Sequence, residues 1–294
     1  MQQLLIFRFF TETKSMTKTA ERMNLKQPTV SFHLKKLEES IGVPLYEKNE
    51  DDIILTSAGK VMYNYAHEIV SLQEEAERVM KDFQKHKRGE LLIGSSHIPG
   101  NYVLPPILKS FSEQYPQVHL SLTVKSTPSI VQDIKQKKLD MALVSEQDLE
   151  DSELNLTRLM RDPLVLVMKE DHPLAKKEFL AKEDISLYPF IIHSSGSTRK
   201  MIDRWCKKHH LRLKIAMEIN SLEAIIQTVV LGMGVTIVSS RMISSFLKES
   251  NLTYREVPAM SDNRWISLIF RQDIKFTPHR KVFYTLITDN MRYA

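Results

Sequence analysis

The segment from Gln27 to Lys36 concentrates short polar side chains between cations: Gln27, Thr29, Ser31, Phe32, His33, Lys35 and Lys36, with Pro28 among them. Amides and hydroxyls of this length reach base edges in a major groove, and ammonium groups reach phosphates. A helix face that is only solvated more often pairs Glu with Lys. A second constellation is three hydroxyl-bearing loops: Ser95-Ser96-His97, Ser126-Thr127, and Ser194-Ser195-Gly196-Ser197-Thr198-Arg199. Hydroxyls and backbone N–H groups at a helix start, beside an arginine, suit a small anion such as a carboxylate or oxyanion, held mainly by Ser96, Ser126, Ser197 and Thr198. Two alternatives stay open. Ser197 or Thr198 could simply cap the helix, and Arg199 either binds the anion or braces its loop. His97 has three readings: ligand contact, pH-sensitive group or structural histidine.

Other reactive residues form no set. Cys206 is the single cysteine, which rules out an internal disulfide and a Cys-rich zinc site and suits a reducing compartment. His209-His210 has no acid or cysteine at metal-ligand spacing. Gly232-Met233-Gly234 precedes a strand and lacks the third glycine and following helix of a dinucleotide fingerprint, so these glycines read as turn and packing devices. No nucleophile, base and orienting group stand at a recognisable spacing. The expectation is a protein without enzymatic activity, metal or cofactor.

These groups need elements to hold them. With 294 residues, 42% hydrophobic and 26% charged, the chain suits two or three globular domains at roughly 100–200 residues each. Its net charge of +5 fits a nucleic-acid partner without requiring one. The apolar start is interrupted by Arg8, with Glu12 and Lys14 following, and reads as a core helix rather than a signal peptide. No apolar run approaches the roughly 20 residues of a membrane span. A cytoplasmic location without a membrane partner is expected, and the missing export signal argues against an exported solute-binding protein, the main alternative for the C-terminal part.

Residues 1–56 read as three short helices and a hairpin. The first places Leu4, Leu5, Phe9 and Phe10 on one side. The second is capped near Ser15 to Thr17 and carries Ala20 and Met23; Asn24 makes the turn and Leu25 packs inward. The third opens at Gln27-Pro28, buries Val30, Leu34, Leu37 and Ile41, and ends at Gly42. Pro44 to Tyr46 and Ile53 to Leu55 are short strands around a tip at Glu47 to Asp52. Together these make a winged helix-turn-helix, with Ala20, Asn24 and Val30 at its expected spacing. Lys18 and Lys48 join the residues facing DNA. A long helix follows, on which Met62, Tyr65, Ile69, Leu72, Ala76, Val79 and Phe83 repeat in steps of three and four. That heptad seam predicts a homodimer, which would present the reading helix twice. From Gly89 strands alternate with amphipathic helices, as in an α/β domain with a mostly parallel sheet, whose ligands bind beyond the carboxyl ends of the strands.

The stretch from Ala20 to Thr56, with Ser57-Ala58-Gly59 after it, resembles the DNA-binding signature of the LysR-type transcriptional regulators. The matching pieces are Gln27-Pro28-Thr29-Val30-Ser31, Leu34, Leu37-Glu38, Gly42, Leu45-Tyr46 and Leu55-Thr56 with Gly59. The resemblance runs the length of the chain, with Asn220-Ser221 and Gly232-Met233-Gly234 fitting a second lobe. It implies a winged helix-turn-helix at 1–58, a linker and dimerisation helix at 59–88, and an effector domain at 89–294 of the periplasmic-binding-protein type. Lobe I would take 89–162 and 268–294, and lobe II 163–267. It also implies double-stranded promoter DNA, a small effector, RNA polymerase and a homotetramer as partners. One departure stands out. The family's wing tip usually carries arginines, whereas this one reads Glu47-Lys48-Asn49-Glu50-Asp51-Asp52. Phosphate anchoring would then shift to Lys14, Lys18, Lys35 and Lys36.

Overall fold

The computed structural model describes residues 1–49, 52–84, 89–247, 250–260 and 263–291, and the side chains of Lys48 and Phe83 lie outside what is described. The chain forms two compact units, Met1–His86 and Lys87–Ala294.

The first unit holds α1 (Gln2–Thr13), α2 (Met16–Met23), α3 (Gln27–Ile41), the hairpin β1 (Tyr46–Asn49) and β2 (Asp52–Leu55), and the long α4 (Ser57–Gln84). Ser15 caps α2 by accepting from Lys18 N, and Asn24 closes it in the left-handed region at φ 52°. Leu25 N then donates to Ala20 O at 2.8 Å, fixing the turn into α3. The core joins Ile6, Phe7, Phe10, Ala20, Val30, Leu34, Leu37, Leu45 and Ala66. On α1 the buried apolar residues are Ile6, Phe7 and Phe10 rather than Leu4, Leu5 and Phe9, which are half-buried. At roughly 100° per residue the expected set spans about two thirds of the helix circumference, while the observed trio fills one face. Ile41, expected inside, falls on the same stripe as Val30, Leu34 and Leu37 but is 39% exposed, because it is the last residue of α3.

The hairpin extends further than expected. Tyr46 pairs with Leu55 and Asn49 with Asp52, so the tip shrinks to residues 50 and 51, which lie outside the described residues. Its base is tied to the helices. Glu38 Oε1 accepts from Leu45 N at 2.7 Å, and Thr56 Oγ1 donates to Pro44 O at 2.8 Å while accepting from Gly59 N at 2.9 Å. On α4, Ala66, Val70, Ser71 and Glu75 are buried and Met62 is half-buried against the unit's own core. Val61, Tyr65, Ile69, Leu72 and Met80 are exposed.

The second unit opens with β3 (Gly89–Ser95), a π-turn (Pro99–Val103), α5 (Leu104–Gln114), β4 (Val118–Val124), α6 (Thr127–Lys135), β5 (Met141–Glu146) and β6 (Leu154–Arg161). It continues through β7 (Leu164–Lys169), α7 (Lys182–Ile185), β8 (Pro189–His193), α8 (Ser197–Lys208), β9 (Lys214–Ile219), α9 (Leu222–Val230), β10 (Thr236–Ser239) and α10 (Ser240–Ile243). β11 (Leu252–Glu256), β12 (Trp265–Arg271) and α11 (Pro278–Met291) close the chain. Lobe I is a sheet in the order β4-β3-β5-β12-β6. Lobe II pairs β8 with β9 and β10-β7-β11, and a parallel bridge from Phe190 to Val235 joins the two sets.

Both sheets are mixed rather than mostly parallel. β12 runs antiparallel to β5 and β6, and β7 antiparallel to β10 and β11. These are the strands beside the two chain crossings between lobes. All of β12 pairs within lobe I, so the return crossing ends at Arg264, ahead of the expected residue 268. The returning α11 is locked to the sheet by a buried pair: Arg280 Nη2 meets Asp140 Oδ1 at 2.6 Å, while Asp140 Oδ2 accepts from Leu92 N. Gly232 takes φ 77°, and a Cβ on Gly234 would lie 2.4 Å from Pro189 O, in keeping with turn and packing roles.

Candidate functional site

α3 turns Val30, Leu34 and Leu37 into the core, which leaves its opposite face to solvent. At roughly 100° per residue Phe32 falls at the centre of that outward face, with Pro28 one turn before it and Lys35 and Lys36 one turn after. Gln27, Pro28, Ser31, Phe32, Lys35 and Lys36 are exposed; Thr29 and His33 are half-buried on one flank. Lys36 Nζ stands 5.9 Å from the Phe32 ring centre, and His33 meets that ring edge-on at 5.6 Å. Lys35 has only a loose pair with Glu39 at 3.9 Å. Lys14 and Lys18 are exposed at the start of the turn region. Three of the signature residues act beneath this face: Glu38, Thr56 and Gly59 hold the hairpin to α3 and α4.

In the second unit the carboxyl ends of β3, β4 and β5 gather Ser96, Thr127 and Ser145. Ser96 Oγ accepts from Ser145 N at 2.8 Å, and Thr127 Oγ1 donates to Ser145 O at 3.1 Å. Ser95, expected to face a ligand, is fully buried and donates to Ser96 O and Leu143 O at 2.9 and 3.0 Å. Strand alternation turns it inward, so it braces the loop. His97 is exposed, and Ser126 shares a 2.9 Å hydrogen bond with Ser129.

At the carboxyl end of β8, Gly196 occupies the cap position of α8 at φ 99° and makes no side-chain cap bond. Ser197 and Thr198 therefore sit inside the first turn, and the capping alternative does not hold. Arg199 supports its loop, one of the two roles expected for it. Its Nε contacts Asp203 at 3.0 Å, and its Nη1 donates to Glu218 Oε1 at 3.2 Å and His193 O at 3.3 Å. The hydrogen bond it donates to Asp203, then that acid's charge and Glu218, raise its pKa. Through Nε and Nη1 the guanidinium braces the loop.

A buried cluster that no sequence motif announced joins the lobes beneath these loops. Asp162, fully buried between β6 and β7, accepts from Ser145 Oγ at 3.1 Å and from Ser239 Oγ, and lies 3.1 Å from Arg264 Nη1. Ser145 lies next to the end of a lobe I strand, Ser239 ends a lobe II strand, and Asp162 and Arg264 mark the two crossings. The carboxyl ends of both sheets are thereby tied to one carboxylate. A charged residue directly between two strand runs was the available signal. A cavity of about 320 Å³ lies elsewhere, bordered by Tyr102, Ile107, Met160, Arg241 and Asn290.

No helix among the described residues is long and apolar enough to cross a membrane. Residues 1–60 match the bacterial regulatory helix-turn-helix protein, lysR family, and residues 84–292 match the LysR substrate binding domain. A probable RuBisCO transcriptional regulator of Phaeodactylum tricornutum is 34% identical over 275 residues, covering 92% of this chain and 90% of its own length. The similarly described protein of Synechocystis is 33% identical, with 92% and 80% covered. Full-length OxyR from Pseudomonas aeruginosa shares the fold at a TM-score of 0.69 and 19% identity, covering 99% of this chain and 93% of that one. Because these matches run through both units, this chain belongs to the LysR family of transcription regulators, which bind DNA through the N-terminal helices and an effector through the C-terminal domain and are not enzymes.

Proposed function

We propose that this regulator reads an operator with the outward face of α3, used twice in a homodimer joined along α4, and that a small anion between the lobes controls it. The observation that carries the anionic reading is the start of α8. Its N-cap is a glycine without a side chain to satisfy the first-turn N–H groups, and the hydroxyls of Ser197 and Thr198 make no hydrogen bond to the described residues. Backbone N–H groups, two hydroxyls and the helix dipole together favour a carboxylate or oxyanion. Ser96, whose Oγ accepts from Ser145 N and keeps its own proton, and Ser126 supply further hydroxyls from lobe I, while Thr127 Oγ1 donates to Ser145 O and frames the loop. With Arg199 bound to acids, the anion is held by neutral donors, which favours a compact, strongly accepting group. The effector acts by binding one arrangement of the dimer more tightly than another.

The test is thermal-shift titration of the full-length chain with small carboxylates and oxyanions against their neutral amides and esters. The expected result is stabilisation by a member of the anion set, weakened at least about tenfold by Ser197→Ala combined with Thr198→Val, the cost of two charge-assisted hydrogen bonds. Stabilisation by neutral compounds alone would refute the anionic reading.

A further inference from the structure

Phe32 is 61% exposed at the outward centre of α3. Among the described residues no packing partner from another element accounts for a ring there. It lies outside the core cluster of its unit, and its ring meets His33 and Lys36, its neighbours on the same helix. The other large apolar side chains exposed in this unit sit on α4, on β2 or near the chain start and the end of α3. Pro28 continues the apolar ridge one turn earlier, while Thr29, Ser31, Lys35 and Lys36 surround it with polar groups.

When α3 lies in a major groove, the centre of its outward face goes deepest. The apolar feature that a base pair offers there is the C5-methyl group of thymine. Against a base amine or carbonyl, the ring would displace water without replacing its hydrogen bonds, which is unfavourable. We infer that Phe32 is a specificity-determining residue that selects a thymine in each half-site by packing on its 5-methyl group. The inference rests on the reading of α3 as the groove helix and adds which base feature that helix prefers at its centre.

The experiment begins with selection of duplexes by the full-length chain from a random double-stranded pool. In the selected duplex each thymine is then replaced by deoxyuridine, which removes the methyl and leaves the pairing edges intact. Affinities are compared at one salt concentration for the native chain, Phe32→Ala and Phe32→Leu. Exposure of the side chain means that neither variant disturbs the core, which unchanged melting verifies. One thymine per half-site is expected to lower native affinity about fourfold on losing its methyl, the worth of one buried carbon group. Phe32→Ala is expected to bind thymine and deoxyuridine duplexes equally, and Phe32→Leu to keep part of the difference. Native binding that tolerates every replacement within about twofold, or Phe32→Ala that keeps full discrimination, overturns the inference alone. A chain that selects no duplex overturns the α3 reading and this inference with it.

Discussion

Gly59 occupies a position where no side chain fits: a Cβ there would lie 1.8 Å from Leu45 O. Since that neighbour is backbone, Gly59→Ala must displace the hairpin from α4, at a cost of about 3 kcal/mol or more. Thermal unfolding followed by circular dichroism should show a midpoint several degrees lower, and an unchanged midpoint would contradict the close approach. Tyr102 makes a second prediction. Burial first, then the charge and hydrogen bond of Glu223, push its phenol up to about 12 from an ordinary 10.0. The folded state thus favours the protonated phenol. Its contribution to stability is present below pH 10 and lost as pH rises toward about 12. Ultraviolet titration of tyrosinate should find a late step that vanishes in Tyr102→Phe.

At the scale of elements, α4 has two faces. One packs through Ala66 and Val70 on its own unit, helped by the ion pair of Arg8 with Glu74 at 3.4 Å. The other exposes Tyr65, Ile69 and Leu72, an apolar stripe that a second copy of the helix would cover. Leu72→Glu combined with Ile69→Glu should convert the sedimenting species to monomer; an unchanged coefficient would place the dimer contact elsewhere. The hairpin adds an electrostatic prediction. Neutralising Glu50, Asp51 and Asp52 with Gln, Asn and Asn should raise affinity for random duplex DNA at low salt without changing sequence preference, because acids repel every phosphate alike. Weaker or equal binding of a random duplex would remove the hairpin from the DNA interface.

Across the whole effector domain the two lobes share Asp162. Removing its carboxylate leaves Arg264, 2% exposed, as a buried cation without its partner. Asp162→Ala should cost about 3–5 kcal/mol, the usual penalty for orphaning half of a buried ion pair. Differential scanning calorimetry of the full chain should show the transition of the second unit falling while that of the first stays in place. Joint movement of both transitions would mean that the units unfold together.

Much of this protein was legible along the chain because helices and turns are local. Ser15, Asn24 and Pro28 set the helix-turn-helix through bonds spanning two to five residues, and the apolar spacing of Val30, Leu34 and Leu37 assigned the reading face by elimination. The alternation of strands with amphipathic helices after Gly89 was likewise readable from local pattern. Long-range partners decided the rest. Whether Ser95 faces a ligand or a carbonyl depends on Leu143, whether Arg199 is available depends on Glu218, and Asp162 acquires a role only when Ser145, Ser239 and Arg264 converge on it. Periodicity shows which side chains are polar. Only the tertiary structure decides which of their donors and acceptors are already committed, because a buried group takes its partner from wherever the fold brings one.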